Sequence, residues 1–146
     1  MKKLILSLGL VLLAANSFSQ VICSIEAPMP LVGGLQITNP TTWSADMSDP
    51  ANAVLDTIMI ADDSLACAPL INDLTGKIAL VYRGTCNFSS KALAAQNAGA
   101  IACIVVNNVP GAPTPMGAGV DGASVTIPVV MISNVDGAAI YNAIMG

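Results

Sequence analysis

The sequence contains no histidine. That absence removes a Ser-His-Asp triad, a Cys-His pair and the common histidine-bearing zinc sites from what this chain can do alone. Its four cysteines include no C-x-x-C pair, so their spacing also argues against a structural zinc site. Cations are nearly as scarce: Lys2, Lys3, Lys77, Arg83 and Lys91 are the whole set. Once Lys2 and Lys3 leave with an N-terminal leader, three basic residues face nine acidic ones, a net charge of −6. No basic stripe exists for nucleic acid or for an anionic membrane surface. The acidity serves solubility. Aromatic residues make up 3% of the chain, so the core must be aliphatic and closely packed, without large ring anchors.

The acids offer little chemistry either. A carboxylate pair for glycoside hydrolysis is conceivable, but Asp46, Asp49, Asp62, Asp63 and Asp121 all stand in turn-like contexts. Asp62-Asp63 lacks the D-x-D-x-D-G spacing that gathers the roughly six to eight oxygens Ca²⁺ takes, and reads as a solvated turn. The loop at 109–126, VPGAPTPMGAGVDGASVT, is rich in glycine but holds no G-x-x-x-x-G-K-[ST] and no helix behind its G-x-G. A phosphate cradle is therefore disfavoured. Loops of this length in a compact domain are functional or disordered. The chain is expected to be non-enzymatic, with no metal and no cofactor.

What is present begins with a leader. Lys2 and Lys3 precede an apolar stretch at 4–15, too short for a membrane span, and small residues come after it. Residues 1–19 read as a secretory signal peptide cleaved before Gln20, with cleavage after Ala15 or Ser17 as the alternative. The product is then exported: periplasmic, cell-surface or extracellular. Cys23 invites a lipid-anchor reading, but Ile22 before it is larger than such sites prefer. No other segment can span a bilayer. Residues 20–36 read as an extended lead-in, with edge strands around 31–37 and turns at Gly33-Gly34 and Asn39-Pro40. Trp43, the lone tryptophan, reads as a packing residue over one end of the core. Residues 54–60 partly alternate and read as a strand leading to Asp62-Asp63.

The most informative stretch is 76–108, GKIALVYRGTCNFSSKALAAQNAGAIACIVVNN. Residues 78–82 form a short apolar run between Gly76-Lys77 and Arg83-Gly84, as a strand buried on both faces would. Ser89 or Ser90 is placed to cap a helix over 91–98, and Gly99 to end it. Residues 101–106 give a second apolar run, so the two strands are joined by a parallel crossover. A third strand comes at 127–132, with Pro128 near its start. Ser133 with Asp136 forms a capping signal for a last helix, in which Ile140 and Ile144 share a face.

The 76–108 stretch, with Cys67-Ala68-Pro69-Leu70 upstream and 126–133 (TIPVVMIS) downstream, closely resembles the protease-associated (PA) domain. The resemblance runs from Ile37 to about Met145, and its motifs lie in the family's order. It implies a mixed α+β fold over residues 37–146: a compact open barrel or sandwich of mixed strands flanked by short helices. It also implies a Cys67–Cys86 bridge. The residues agree, because Cys103 sits in an apolar run and Cys23 lies outside the domain. A Cys23–Cys103 bridge is the other pairing and would have to reach into the core.

By function, the resemblance implies a non-catalytic module that positions substrates or protein partners, or serves as a lid, beside a peptidase or in a receptor. The partners are then a protein or peptide ligand and an attached peptidase domain. The family's R-G-x-C-x-F loop contributes to ligand recognition. Here that gives Arg83, Gly84, Thr85, Cys86 and Phe88, with Asn107, Asn108 and the 109–126 loop nearby. Arg83 has the fork to hold a peptide carbonyl or carboxylate; equally, it would satisfy loop carbonyls. Phe88 reads as a core plug, and the two asparagines as caps on the strand end. Two further readings stand beside this one. They are a free-standing secreted peptide-binding protein and, less favoured, a small hydrolase with an acid-based site.

Overall fold

A computed structural model describes residues 21–26 and 31–146. Residues 1–20, where a leader and its cleavage site are expected, and residues 27–30 of the expected lead-in lie outside the described residues. In chain order the elements are β1 (Ser24–Ile25), β2 (Gly33–Gly34), β3 (Ile37–Thr38), β4 (Ile58–Ile60), β5 (Ile78–Tyr82), α1 (Phe88–Asn97), β6 (Ala102–Val106), β7 (Val129–Ile132) and α2 (Asn134–Met145). Short 3₁₀ turns occupy Pro50–Asn52 and Gly122–Ser124.

The fold is mixed α+β, as the sequence suggests. Five strands form one sheet in the order β3-β7-β6-β5-β4. β3 runs antiparallel to β7, and the other neighbours are parallel. β1 and β2 pair antiparallel as a separate ribbon.

The three central strands are continuous apolar runs because both of their faces are covered. Side chains alternate between the faces. Ala79, Val81, Cys103, Val105, Val129 and Met131 meet Ala92 and Ala95 of α1, with Leu74 and Trp43 beside them. Leu80, Ile104, Val106, Val130 and Ile132 meet Ile140 of α2 and Ile25 of β1. Trp43 covers the α1 face as expected, its indole N–H donating to the Met116 carbonyl at 3.0 Å.

Several boundaries differ from the sequence reading. α1 begins at Phe88, not Lys91, with Asn87 as its N-cap and no side-chain cap bond. The bridge pins Cys86, so the chain turns into the helix directly after it. Ser89 is buried in the first turn, and Ser90 Oγ donates to Asp121 Oδ2 at 2.6 Å instead of capping. Gly99 ends the helix turn at φ +94°, where an added Cβ would meet Thr75 Oγ1 at 2.7 Å. Gly33-Gly34 is not a turn: it forms β2, in register with Ser24 and Ile25. The strand expected over 54–60 shortens to Ile58–Ile60, the only part in register with β5. Exposed Asp56 instead pairs with Lys77 Nζ at 2.9 Å. β7 starts after Pro128, which has no N–H to give; its carbonyl accepts from Cys103 N at 2.9 Å.

α2 is capped as the sequence indicates. Ser133 Oγ accepts from the Asp136 N–H at 3.0 Å and donates to Asp136 Oδ2 at 2.7 Å. Ile140 is buried, but Ile144 is 41% exposed, so the helix's apolar face runs past the edge of the core. Gly137 lets α2 lie directly on β6; a Cβ there would fall on the methyls of Val106. Among the described residues no helix is long and apolar enough to cross a membrane.

Candidate functional site

Parallel strands β5 and β6 end side by side, and their carboxyl ends carry the polar residues of the fold. This is where ligands bind in open sheets built from parallel strands. The Arg83 N–H donates to the Val106 carbonyl at 2.9 Å, and the Asn107 N–H to the Ile132 carbonyl at 3.0 Å. These two bonds hold both residues in ladder geometry one step beyond their strands.

From there the side chains converge. Arg83 Nη1 donates to Asn107 Oδ1 at 2.9 Å and to Thr114 Oγ1 at 3.4 Å. The guanidinium carbon sits 6.0 Å from the centre of the Phe88 ring, a cation–π distance. Asn107 is buried at 2% exposure. Its Nδ2 donates to the Ala112 carbonyl at 3.3 Å, and its Oδ1 also accepts from the Val109 N–H at 3.3 Å. Arg83 is half-buried, and its Nε and Nη2 find no acceptor among the described residues. One edge of the fork is anchored; the other is open.

The turn between Arg83 and Cys86 is unusual. Gly84 has φ +152° and Thr85 φ +48°. The left-handed conformation at Thr85 is one that β-branched residues rarely take. It persists because Cys86 is bonded to Cys67, with Cα atoms 5.7 Å apart. Cys23 and Cys103 are free, so the alternative pairing is not formed. Burial pushes the Cys103 thiol up to about 12, leaving it a small inert hydrophobe in the α1-side core.

Asp62 and Asp63 brace the loop that carries the bridge's other cysteine, Cys67. Asp62 accepts from the Ile71 and Asn72 N–H groups. Asp63 accepts from Leu65 and Cys67 N–H at 3.0 Å each. Those bonds, the one from Cys67 foremost, hold the Asp63 carboxyl below the usual carboxylate range.

The structure therefore brings together Arg83, Phe88 and Asn107, with Gly84 and Thr85 shaping the turn that leads to them. Asn108 does not join them: it is exposed, and its side chain makes no bond among the described residues. Phe88 packs against the α1-side core as well as under Arg83. Sequence reasoning missed Thr114, which sits in the long loop and has no local signal. It also missed Lys91, read only as a helix former. Lys91 is fully buried, and its ammonium donates to the Leu65 carbonyl beside the bridge. The long loop is fastened to α1 and the turn. Ser90 bonds Asp121, Gln96 bonds Thr126, and Gly119 at φ +57° lies so close to Asn87 that a Cβ would meet its side chain at 2.7 Å.

A groove of about 840 Å³ lies elsewhere, on the α2 face of the sheet, lined by Ile25, Met47, Leu55, Ile104, Val130 and Ile144 among others. It shares no residue with the Arg83 cluster, and the polar convergence a specific ligand needs is at Arg83.

Three comparisons bear on this arrangement. The family model described as "PA domain" matches residues 30–140. A probable leucine aminopeptidase 2 from Aspergillus fumigatus is 35% identical over 112 residues, which is 75% of this chain and 22% of that protein. The ER degradation-enhancing alpha-mannosidase-like protein 3 of Xenopus laevis is 34% identical over 126 residues, 79% of this chain and 14% of its own length. Among solved structures, BSAP, a zinc aminopeptidase from Bacillus subtilis, superposes with a TM-score of 0.61 at 28% identity, covering 75% of this chain and 26% of that one. The chain thus spans about a quarter or less of these relatives. With the family model matched from the lead-in to α2, the chain belongs to the PA domain family.

Proposed function

We propose that the chain is a non-catalytic protein- or peptide-interaction module of an exported protein, positioning substrate for, or covering, a peptidase. The observation that carries this reading is the guanidinium of Arg83: fixed on one edge by Asn107 and Thr114, backed by Phe88, and open on its other edge. An arginine held in this way presents a preorganised pair of donors to a backbone carbonyl or a carboxylate. The aminopeptidases among the relatives support the peptidase context. The bridge, together with the leader-like pattern of residues 1–19, supports an oxidising compartment. No histidine is present to complete a hydrolytic triad.

The test is a peptide-library binding screen on the oxidised protein beside Arg83→Ala. The expected outcome is selective binding that weakens at least about tenfold in the variant, as loss of a charge-assisted hydrogen bond implies. Equal binding by both proteins removes Arg83 from the site. No binding by a folded, bridged protein rejects autonomous recognition and leaves only the lid or spacer role.

A further inference from the structure

Lys91 is the one charged side chain buried among the described residues. α1 carries it inward beneath the Cys67–Cys86 bridge, where Nζ donates to the Leu65 carbonyl and lies 3.6 Å from Cys67 Sγ. Asp63, bonded to the Leu65 and Cys67 N–H groups, supplies the compensating negative charge. The two sulfurs therefore differ. Cys67 Sγ has an ammonium beside it. Cys86 Sγ has the carbonyl oxygens of Leu65 and Ala66 at 3.8 and 3.9 Å and no cation among its hydrogen-bond contacts. Leu65 O lies 3.6 Å from Cys67 Sγ as well and is shared by both sulfurs, so the ammonium at Cys67 and the Ala66 carbonyl at Cys86 are what set them apart.

The backbone adds a second asymmetry, between closed and open forms. Ala66 and Thr85, the residues directly before the two cysteines, both hold left-handed backbones at φ +47° and +48°. Neither is glycine, so both are strained. Opening the bridge removes the covalent restraint beside each, while Ala66 stays buried with its N–H donating to the Asp63 carbonyl at 2.9 Å.

We propose that Cys67–Cys86 is an exchangeable bridge with a fixed polarity, in which an external thiol adds to Cys86 and Cys67 departs as a thiolate paired with Lys91. In the first step a thiolate attacks Cys86 Sγ. A new S–S bond forms there, the Cys67–Cys86 bond breaks, and its electron pair leaves on Cys67 Sγ. That sulfur needs no proton, because the ammonium balances its charge. A second thiolate then attacks the outer sulfur of the mixed disulfide. It releases an external disulfide and a Cys86 thiolate, which takes a proton from water. Two external thiols are oxidised and one protein disulfide is reduced. The sulfur whose thiolate is better stabilised leaves faster, which sets the direction of attack. Cys86 is thereby assigned as a site of mixed-disulfide modification by small thiols such as glutathione.

Regiochemistry is the test. The oxidised protein is exposed briefly to glutathione and quenched with iodoacetamide, and the adducts are mapped by peptide mass spectrometry. Glutathione should appear on Cys86 and the alkyl label on Cys67, with a preference of about tenfold or more. An even distribution, or glutathione on Cys67, overturns the proposal. Lys91→Met should slow opening by about tenfold and erase the preference. Lys91→Gln, which keeps a donor for the Leu65 carbonyl, should do the same if charge is the cause. Unchanged regiochemistry in either folded variant also overturns it. The wild-type map decides the matter if neither variant folds.

Discussion

The two faces of the sheet are built on different plans. The α1 face is closed: small alanines bring the helix close, Leu74, Val105 and Met131 are fully buried, and the bridge and Lys91 lie at its edge. The α2 face is only partly closed. Its cover is a ribbon of two-residue strands and a helix whose last turn is exposed, with the groove of about 840 Å³ between them. Both faces are lined by the same apolar strand runs. Closure depends instead on the covering segments, a short alanine helix pinned by a disulfide in one case and a ribbon of two-residue strands with a half-exposed helix, among the described residues, in the other.

Matched truncations break or sharpen this contrast most directly. Leu74→Ala on the closed face should cost about 3–4 kcal/mol, since nothing there can collapse into the space. Ile140→Ala, which borders the groove, should cost nearer about 2 kcal/mol. Urea denaturation of the two variants measures both, and equal costs would erase the distinction. Next in size is the bridge: Cys67→Ser with Cys86→Ser should lower stability by about 3 kcal/mol through loop-closure entropy. A Gly137→Ala change tests the close approach of α2 to β6. The added methyl collides with Val106, and a loss of about 2 kcal/mol is expected despite alanine's better helix propensity.

The smallest effect is a pH dependence. The Asp63 carboxyl is held below its unfolded value. Its contribution is therefore complete above about pH 4 and is lost as pH falls through the folded value. Asp63→Asn should thus be less stable than the parent at pH 7. The gap between their urea midpoints should narrow by pH 3, and a gap independent of pH would contradict that role.

Much of this is readable in the sequence, for identifiable reasons. β5, β6 and β7 announce themselves because strands covered on both faces need unbroken apolar runs. The Ser133–Asp136 cap is legible because capping is local chemistry. The start of α1 is not. Ser89 and Ser90 read as caps, but Asn87 has equal capping propensity, and the covalent constraint at Cys86 places the start there. Gly33-Gly34 reads as a turn and forms a strand, because pairing with Ser24-Ile25 is nonlocal and outweighs turn propensity. At the site, Arg83 and Phe88 are legible as a motif. Thr114, 31 residues beyond Arg83, and the burial of Lys91 are not, since both depend on how distant segments meet.

The sheet's outermost strands carry one more consequence. β3 contributes two residues and β4 three, so neither border offers a row of unpaired N–H and C=O groups long enough to template another strand. Long open borders invite edge-to-edge aggregation and domain swapping. With both borders this short, the domain can sit beside other folded units at high local concentration while its sheet stays its own.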